Sequence, residues 1–432
     1  MSPIQRFRRD TFASLENPNY RRYFIGQAIS LTGTWMQTIA QSFLVLHLTG
    51  SGFQVGLVVA LQTVPILLLG PYGGVVADRV NKLRMMVVLQ SLMGVQALVL
   101  GLLTVTHVIS VWQIGVLAVL LGLNNTFENP ARQTFVFEMV GPEDLRNAVT
   151  LNTVLVNVAR MVGPAAAGLI IDAGGYGVCF LLNAASFVAV VGSLLRMDTS
   201  TITPAPAAPR TKGQLREGLR YVRGEVGLAV PLVMMAIVGC LAYEFQVTLP
   251  VLATQGFGGG STSYGFMTAT MGLGAVVGGL YFAGRGTTGL RSLTTTSVVF
   301  AALLALAAIA PTLPLELILL ACVGVASVSF LSKGNSTLQL TAAAHMRGRV
   351  MSLWSVAFLG STPIGGPIAG AVAQYAGPRW GIGLGAVACA VAAALGLLVL
   401  RRVRRPAVRE PQGDAMAEVE DETVLEVAEA AR

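Results

Sequence analysis

The sequence predicts an all-α integral membrane fold of twelve transmembrane helices in two parallel six-helix repeats. Three observations carry that prediction. Apolar stretches recur throughout the 432 residues, which are 54% hydrophobic and only 12% charged, against about 25% charged in soluble domains. Lys and Arg collect on alternate gaps between the stretches. Matching short motifs recur in the same order in both halves.

Spans are predicted near 22–48, 55–77, 83–107, 111–130, 146–171, 177–197, 227–251, 263–284, 291–310, 314–336, 347–372 and 379–400. Each approaches the ~20 apolar residues that cross ~30 Å of hydrocarbon as a helix. Only helices and closed barrels satisfy backbone polar groups in lipid. The apolar runs are continuous rather than alternating, which excludes the barrel. The expected organisation is a cytoplasmic segment at 1–21, a six-helix bundle at 22–197, a cytoplasmic linker at 198–226, a second bundle at 227–400 and a charged cytoplasmic tail at 401–432. Within the linker, TPAPAAPRTKG is Pro- and Ala-rich, and LREGLRYVRGE reads as a basic amphipathic helix on the inner membrane surface. The tail, with acids from Glu410 to Glu429, reads as disordered or weakly helical.

The net charge of +8 could point to nucleic acid, but the basic residues flank spans as the positive-inside rule requires. Of 29 Lys and Arg, Arg379 falls on the outer side and Arg160 inside a span, leaving 29 − 2 = 27 on the inner side. Both termini are therefore expected in the cytoplasm. No signal-peptide core precedes the first span, which can serve as an uncleaved insertion signal. Cys179, Cys240, Cys322 and Cys389 form no CxxC pair and read as buried small apolar residues. No cofactor or metal is expected.

The halves repeat. Arg79 and Arg285 are 285 − 79 = 206 apart, and NPARQ at Asn129 and NSTLQ at Asn335 are again 335 − 129 = 206 apart. Arg146 precedes Gly163-Pro164 by 17 residues, as Arg349 precedes Gly366-Pro367. Such parallel repeats are one architecture of secondary transporters.

At these residues the chain resembles the major facilitator superfamily, over about residues 15–400. GGVVADRVNKLR, from Gly73, resembles that superfamily's loop motif between helices two and three. ARMVGPAAAGLI, from Ala159, is similar to its fifth-helix Gly-Pro motif of exporters and antiporters. With NYRRYFIGQAISLTGTWMQ and ENPARQTF, the latter segment resembles the enterobactin-exporter and macrolide-efflux branch. The resemblance implies proton-driven export of a siderophore- or drug-like molecule across a bacterial-type inner membrane, by a chain able to work as a monomer. One departure stands out. Many members of the branch carry an acid just before the Trp of a GxW pattern, where this chain has Thr34. If the acid couples protons there, another group must do so here.

Candidate residues follow. Glu244 lies inside the seventh span, where a charge costs about 2.5–3.5 kcal/mol on insertion scales and normally faces a cavity or partner. It reads either as a proton carrier or substrate contact, or as a structural hydrogen-bond partner near the outer interface. Arg160 reads as the one basic residue well inside a span. It can attract an anionic substrate, pair with Glu244, or bond local carbonyls. Gly163 and Gly168 permit close helix approach, and Pro164 permits a bend; Gly366 and Pro367 are their second-half counterparts. Asp78, Arg79, Glu128 and Arg132 form a candidate inner gate, with Glu128 and Arg132 spaced i,i+4 on one face. Arg285 is the second-half counterpart of Arg79, but Gly284 stands in place of the acid. Asp78 and Glu128 are further proton-coupling candidates. Gln27, Thr34 and Gln41, seven apart, put polar groups along one face of the first span, with Gln37 beside them. They read as cavity lining for a large amphiphile or as a polar helix seam, with Trp354 and Asn152 as possible additions. His47 and His107 read as interfacial.

Secondary active export by alternating access leads. One proton moving through 100 mV supplies about 2.3 kcal/mol. Import or facilitation on the same fold, and a non-transporting sensor, are the alternatives. Direct ATP drive finds no GxxxxGK[ST] loop, and no metal-spaced His pair or nucleophile triad supports an enzyme. The expected partners are protons, the lipid bilayer and a small-molecule substrate.

Overall fold

The computed structural model describes residues 13–202, 214–283, 288–343 and 346–404, and no strand occurs among them. Helix α1 runs Pro18–Thr49, begun by the Asn17 side chain accepting from the Asn19 and Tyr20 amides and ended by Gly50 at φ 64. Helices α2 (Gly52–Arg79) and α3 (Lys82–Val105) start at the capping side chains of Ser51 and Asn81. Helix α4 runs Val111–Gly174 and turns at Gly141, whose φ of 73 and ψ of −179 are not helical. The predicted gap at 131–145 is therefore largely helix. Its Ala131, Phe135 and Met139 join Tyr20, Tyr23, Met86 and Leu194 in an apolar cluster, and that burial extends the helix past the predicted end. Helix α5 (Tyr176–Leu195) and the basic α6 (Gln214–Gly224) follow.

The seventh span is not continuous. It divides into α7 (Val226–Leu241) and α8 (Phe245–Val251), with Glu244 between them at φ −82 and ψ 37. After α9 (Ser261–Ala283), α10 (Leu290–Ile309) and α11 (Leu313–Thr341), the eleventh also divides, into α12 (Arg347–Leu359) and α13 (Thr362–Tyr375). Pro363 sits in the first turn of α13, where its missing N–H leaves no bond unmade. The break at 242–244 contains neither Gly nor Pro; it lies where the chain meets α13. Helix α14 (Pro378–Arg404) closes the chain.

Nine helical stretches among the described residues are long and apolar enough to cross a membrane. The segments predicted at 22–48 and 111–130 are also helical but fall short of that apolarity, and the segment predicted at 263–284 is helical as far as Ala283. The first holds Gln27, Gln37 and Gln41, and the second Asn124, Asn125 and Glu128. Elsewhere large apolar side chains face outward, as with Val188 at 73% and Ile318 at 64% exposure. This is the surface of a multi-pass membrane protein.

Helices α1–α5 pack as one group and α7–α14 as another, joined along two seams, α2 with α13 and α4 with α9. Glycine makes the seams tight. A Cβ on Gly265 would lie 2.6 Å from the Pro164 carbonyl, one on Gly168 2.9 Å from the Ser261 carbonyl, and one on Gly366 3.0 Å from the Gly56 carbonyl. Ser51 Oγ donates to Gln374 Oε1 at 2.6 Å, as does the Phe53 amide at 3.2 Å. Ser261 and Thr262 hydroxyls donate to the Asp172 carboxylate. Phe43 stacks on Tyr264 at 5.7 Å. All these joints lie in the half of the molecule away from Arg79.

Candidate functional site

The two groups meet at mid-length around Trp35 of α1, Arg160 of α4 and Tyr243 in the break between α7 and α8. The Arg160 guanidinium lies 4.7 Å from the centre of the Trp35 ring. Gly163 makes the approach possible, since a Cβ there would sit 2.7 Å from Trp35 Cβ and 2.8 Å from the Thr32 carbonyl. Arg160 Nε has no hydrogen-bond partner. A cation–π contact returns about 0.5–2 kcal/mol, less than the roughly 2.5–3.5 kcal/mol cost of an arginine at mid-membrane. Tyr243, from the other group, is within electrostatic reach of Arg160. Its hydroxyl donates to the Ser327 carbonyl at 2.6 Å, and its ring meets Phe358 edge-on at 5.2 Å.

The anticipated Arg160–Glu244 pair does not form. Glu244 is 4% exposed, and its carboxyl turns toward α13. There it meets the Thr362 hydroxyl and lies 3.0 and 3.5 Å from where Cβ atoms of Gly365 and Gly366 would stand. Its Oε1 has no partner. Arg160 is not alone as a basic residue inside a span either: Lys333 lies well inside α11 and donates to Thr296 Oγ1 at 2.8 Å.

In the first group, Gln37 Nε2 donates to Gln96 Oε1 at 3.1 Å, and Gln37 Oε1 accepts from Asn183 Nδ2 at 2.8 Å. These amides, with Thr34, Gln41, Gln62 and Asn125, line a cavity of about 30 Å³. That is room for about two waters, not for the large amphiphile anticipated. Thr34, Gln37 and Gln41 share this cavity, whereas Gln27 is buried apart from its lining, with Nε2 unpartnered. Trp354 packs over Gly334 of α11. His47 is exposed beside Tyr176, 5.6 Å between rings.

At the Arg79 end, the expected Glu128–Arg132 pair is made at 3.1 Å. Gln90 Nε2 adds a bond to Glu128 Oε1 at 3.3 Å, and Arg132 a bond to Asn129 at 3.0 Å. Arg79 is exposed. Arg285 and the side chain of Asp78 lie outside the described residues, as do linker residues 203–213 and tail residues 405–432. Sequence reasoning missed Lys82–Glu138, 3.2 Å apart with side chains 8% and 4% exposed. Lys82 is one of the 27 basic residues that the sequence places on the inner side. Glu138 falls in the stretch after residue 130 that the sequence reading left outside any span, and which the structure shows to be helix. It also missed Glu217–Arg349 at 2.5 Å, which ties α6 to α12, and Glu316, fully buried with neither carboxyl oxygen partnered. Of the cysteines, Cys179 and Cys389 are buried, but Cys322 is exposed on α11.

Known transporters share this chain's sequence and fold. It is 27% identical over 361 residues to the multidrug efflux pump Tap of Mycolicibacterium fortuitum, across 80% of this chain and 87% of that protein. Identity to the enterobactin exporter EntS of Shigella boydii serotype 18 is 27% over 392 residues, across 89% and 90%. With the staphyloferrin A transporter of Staphylococcus aureus it is 24% over 258 residues, and the chain spans 65% of that protein's length. In fold it is similar to a bacterial homolog of the human lysosomal transporter Spinster, crystallised inward-facing and unoccupied, with TM-score 0.71, 13% identity and 89% and 97% of the two chains covered. The transmembrane secretion effector family matches residues 9–430, and the chain belongs to that family, a branch of major facilitator transporters rather than enzymes.

Proposed function

We propose that the protein is a proton-coupled exporter of a small amphiphilic molecule, working by alternating access in a bacterial inner membrane. The observation that carries this reading is the interrupted seventh span at the meeting of the two groups, where Tyr243 and Glu244 leave the helix. Discontinuous helices at mid-membrane are where such transporters hold substrate and coupling ions. In this reading twelve spans cross the membrane as two six-helix repeats, with α1, the first part of α4 and α9 adding to the nine stretches. Both termini and Arg79 face the cytoplasm. The glycine seams and the Asp172 and Gln374 joints close the outer end. Glu128–Arg132 and Lys82–Glu138 brace the inner end, with Asp78, Arg79 and Arg285 assigned to its gate. Glu244 carries the proton, with Glu128 and Asp78 as the alternatives. Relatives described as efflux pump and exporter support the outward direction.

The test compares wild type with Glu244→Gln in an efflux-deficient bacterium at equal membrane abundance. Accumulation of siderophores, macrolides and lipophilic dyes is followed with and without a protonophore. Wild type lowers accumulation, and protonophore and mutation each abolish the effect. Protonophore-sensitive export that survives the mutation removes Glu244 as carrier. Raised accumulation in wild type indicates import.

A further inference from the structure

The seam between the two helix groups carries an unbalanced positive charge. Arg160 lies there with its guanidinium over Trp35 and its Nε unpartnered. The one acid previously expected to neutralise it, Glu244, is turned into the second group against Thr362 and Gly365. The ion pairs formed among the described residues, Lys82–Glu138, Glu128–Arg132 and Glu217–Arg349, leave Arg160 out. The neighbouring cavity offers only neutral groups, the amides of Gln37, Gln41 and Gln96 and the hydroxyl of Thr34. Across the seam stands Tyr243, framed by the Phe245, Phe300 and Phe358 rings.

We propose that Arg160, Trp35 and Tyr243 form the docking site for the anionic group of the transported molecule, an organic acid whose charge is attached to a flat or aromatic body. This rests on the transport reading above and names its substrate class. An unpaired guanidinium presents a planar fork that matches a carboxylate with two parallel bonds. The Trp35 face fixes the plane of that fork and offers a flat ring a surface to lie against. Because Tyr243 sits where the seventh span is unwound and Arg160 belongs to the opposite group, a ligand between them touches both groups at once. Its binding then differs between the two arrangements of the groups, as a transported substrate's must. Lipophilic cations meet like charge at this point and are disfavoured.

The test uses two dyes with the same three-ring frame and opposite charge, fluorescein and rhodamine 123. Their binding to the purified full chain in detergent is read by fluorescence polarisation. Wild type binds fluorescein at least about tenfold more tightly than rhodamine 123, the size expected for a charge-assisted bond. Arg160→Gln loses that preference, Arg160→Lys keeps part of it, and Arg160→Glu inverts it. Each variant is first shown to be monodisperse and as heat-stable as wild type within a few degrees. A wild-type preference for rhodamine 123, no binding of fluorescein, or a preference unchanged in the Gln and Glu variants overturns the proposal. Uptake into proteoliposomes separates the two readings: a fluorescein preference that follows Arg160, without movement of the dye under a pH gradient, keeps the anion site and sinks the transport assignment.

Discussion

Four glutamates are buried among the described residues, Glu128 and Glu138 in the first helix group and Glu244 and Glu316 in the second. The first two are held by Arg132 at 3.1 Å and Lys82 at 3.2 Å. Neither of the second two forms an ion pair. Arg379, the cation near Glu316, bonds instead to the Ala308 and Ala310 carbonyls. The helices differ in the same sense, since only the second group has spans broken at mid-length. The comparison teaches a division of labour. The first group's buried carboxyls are held in ion pairs beside a hydrogen-bonded amide wall, and the second group's lie outside ion pairs, and in the transport reading proposed above they and the broken spans are what the cycle turns on.

Removing a partner should separate the groups most sharply. Lys82→Met takes the cation away from the buried Glu138 carboxylate, and should cost about 3–5 kcal/mol. The double variant Lys82→Met/Glu138→Leu should recover most of that loss, read by thermal unfolding in detergent. A single variant as stable as wild type would erase the contrast. Next, Asn183→Ala removes one donor to Gln37 and should cost about 1–3 kcal/mol by leaving a buried amide short of a bond, in the same assay. Glu316→Gln should change stability by less than about 1 kcal/mol, because no ion pair is lost; a loss as large as that of Lys82→Met would show that Glu316 is clamped after all. The smallest effect belongs to Asp198, just beyond α5. Bonds from the Ser200 hydroxyl and amide, at 2.7 and 3.0 Å, hold its carboxyl below the usual range. With its folded pKa depressed, its contribution is present above the unfolded value and fades as pH falls through the folded one. An NMR titration of Asp198 against Ser200→Ala should show the depression reduced, with the residue-200 amide still donating.

The helical class, the family and the Glu128–Arg132 pair were legible because each is local. Apolar length, a motif and an i,i+4 spacing are read within one stretch of chain. What escaped is tertiary. Nothing in CLAYEF marks a helix end; the break at Glu244 lies beside Gly365, where a Cβ could not coexist with the Cys240 carbonyl. Lys82–Glu138 stayed hidden because apolarity fades after residue 130 while the helix does not, held by Phe135 and Met139 against Tyr23 and Met86. Arg160 was correctly singled out as a charge inside a span. Its companion was misjudged, because an aromatic face gives no signal of charge complementarity in sequence.

The joints at the end away from Arg79 differ in kind from the ion pairs at the other. Asp172 is held by two hydroxyls, and Gln374 by a hydroxyl and an amide. Water can replace each of these donors with little change in energy, so parting the helices there strands no charge. In the alternating-access reading proposed above, opening at that end is in substance a hydration reaction. Its balance should follow water activity, and an osmolyte excluded from the seam should hold it shut.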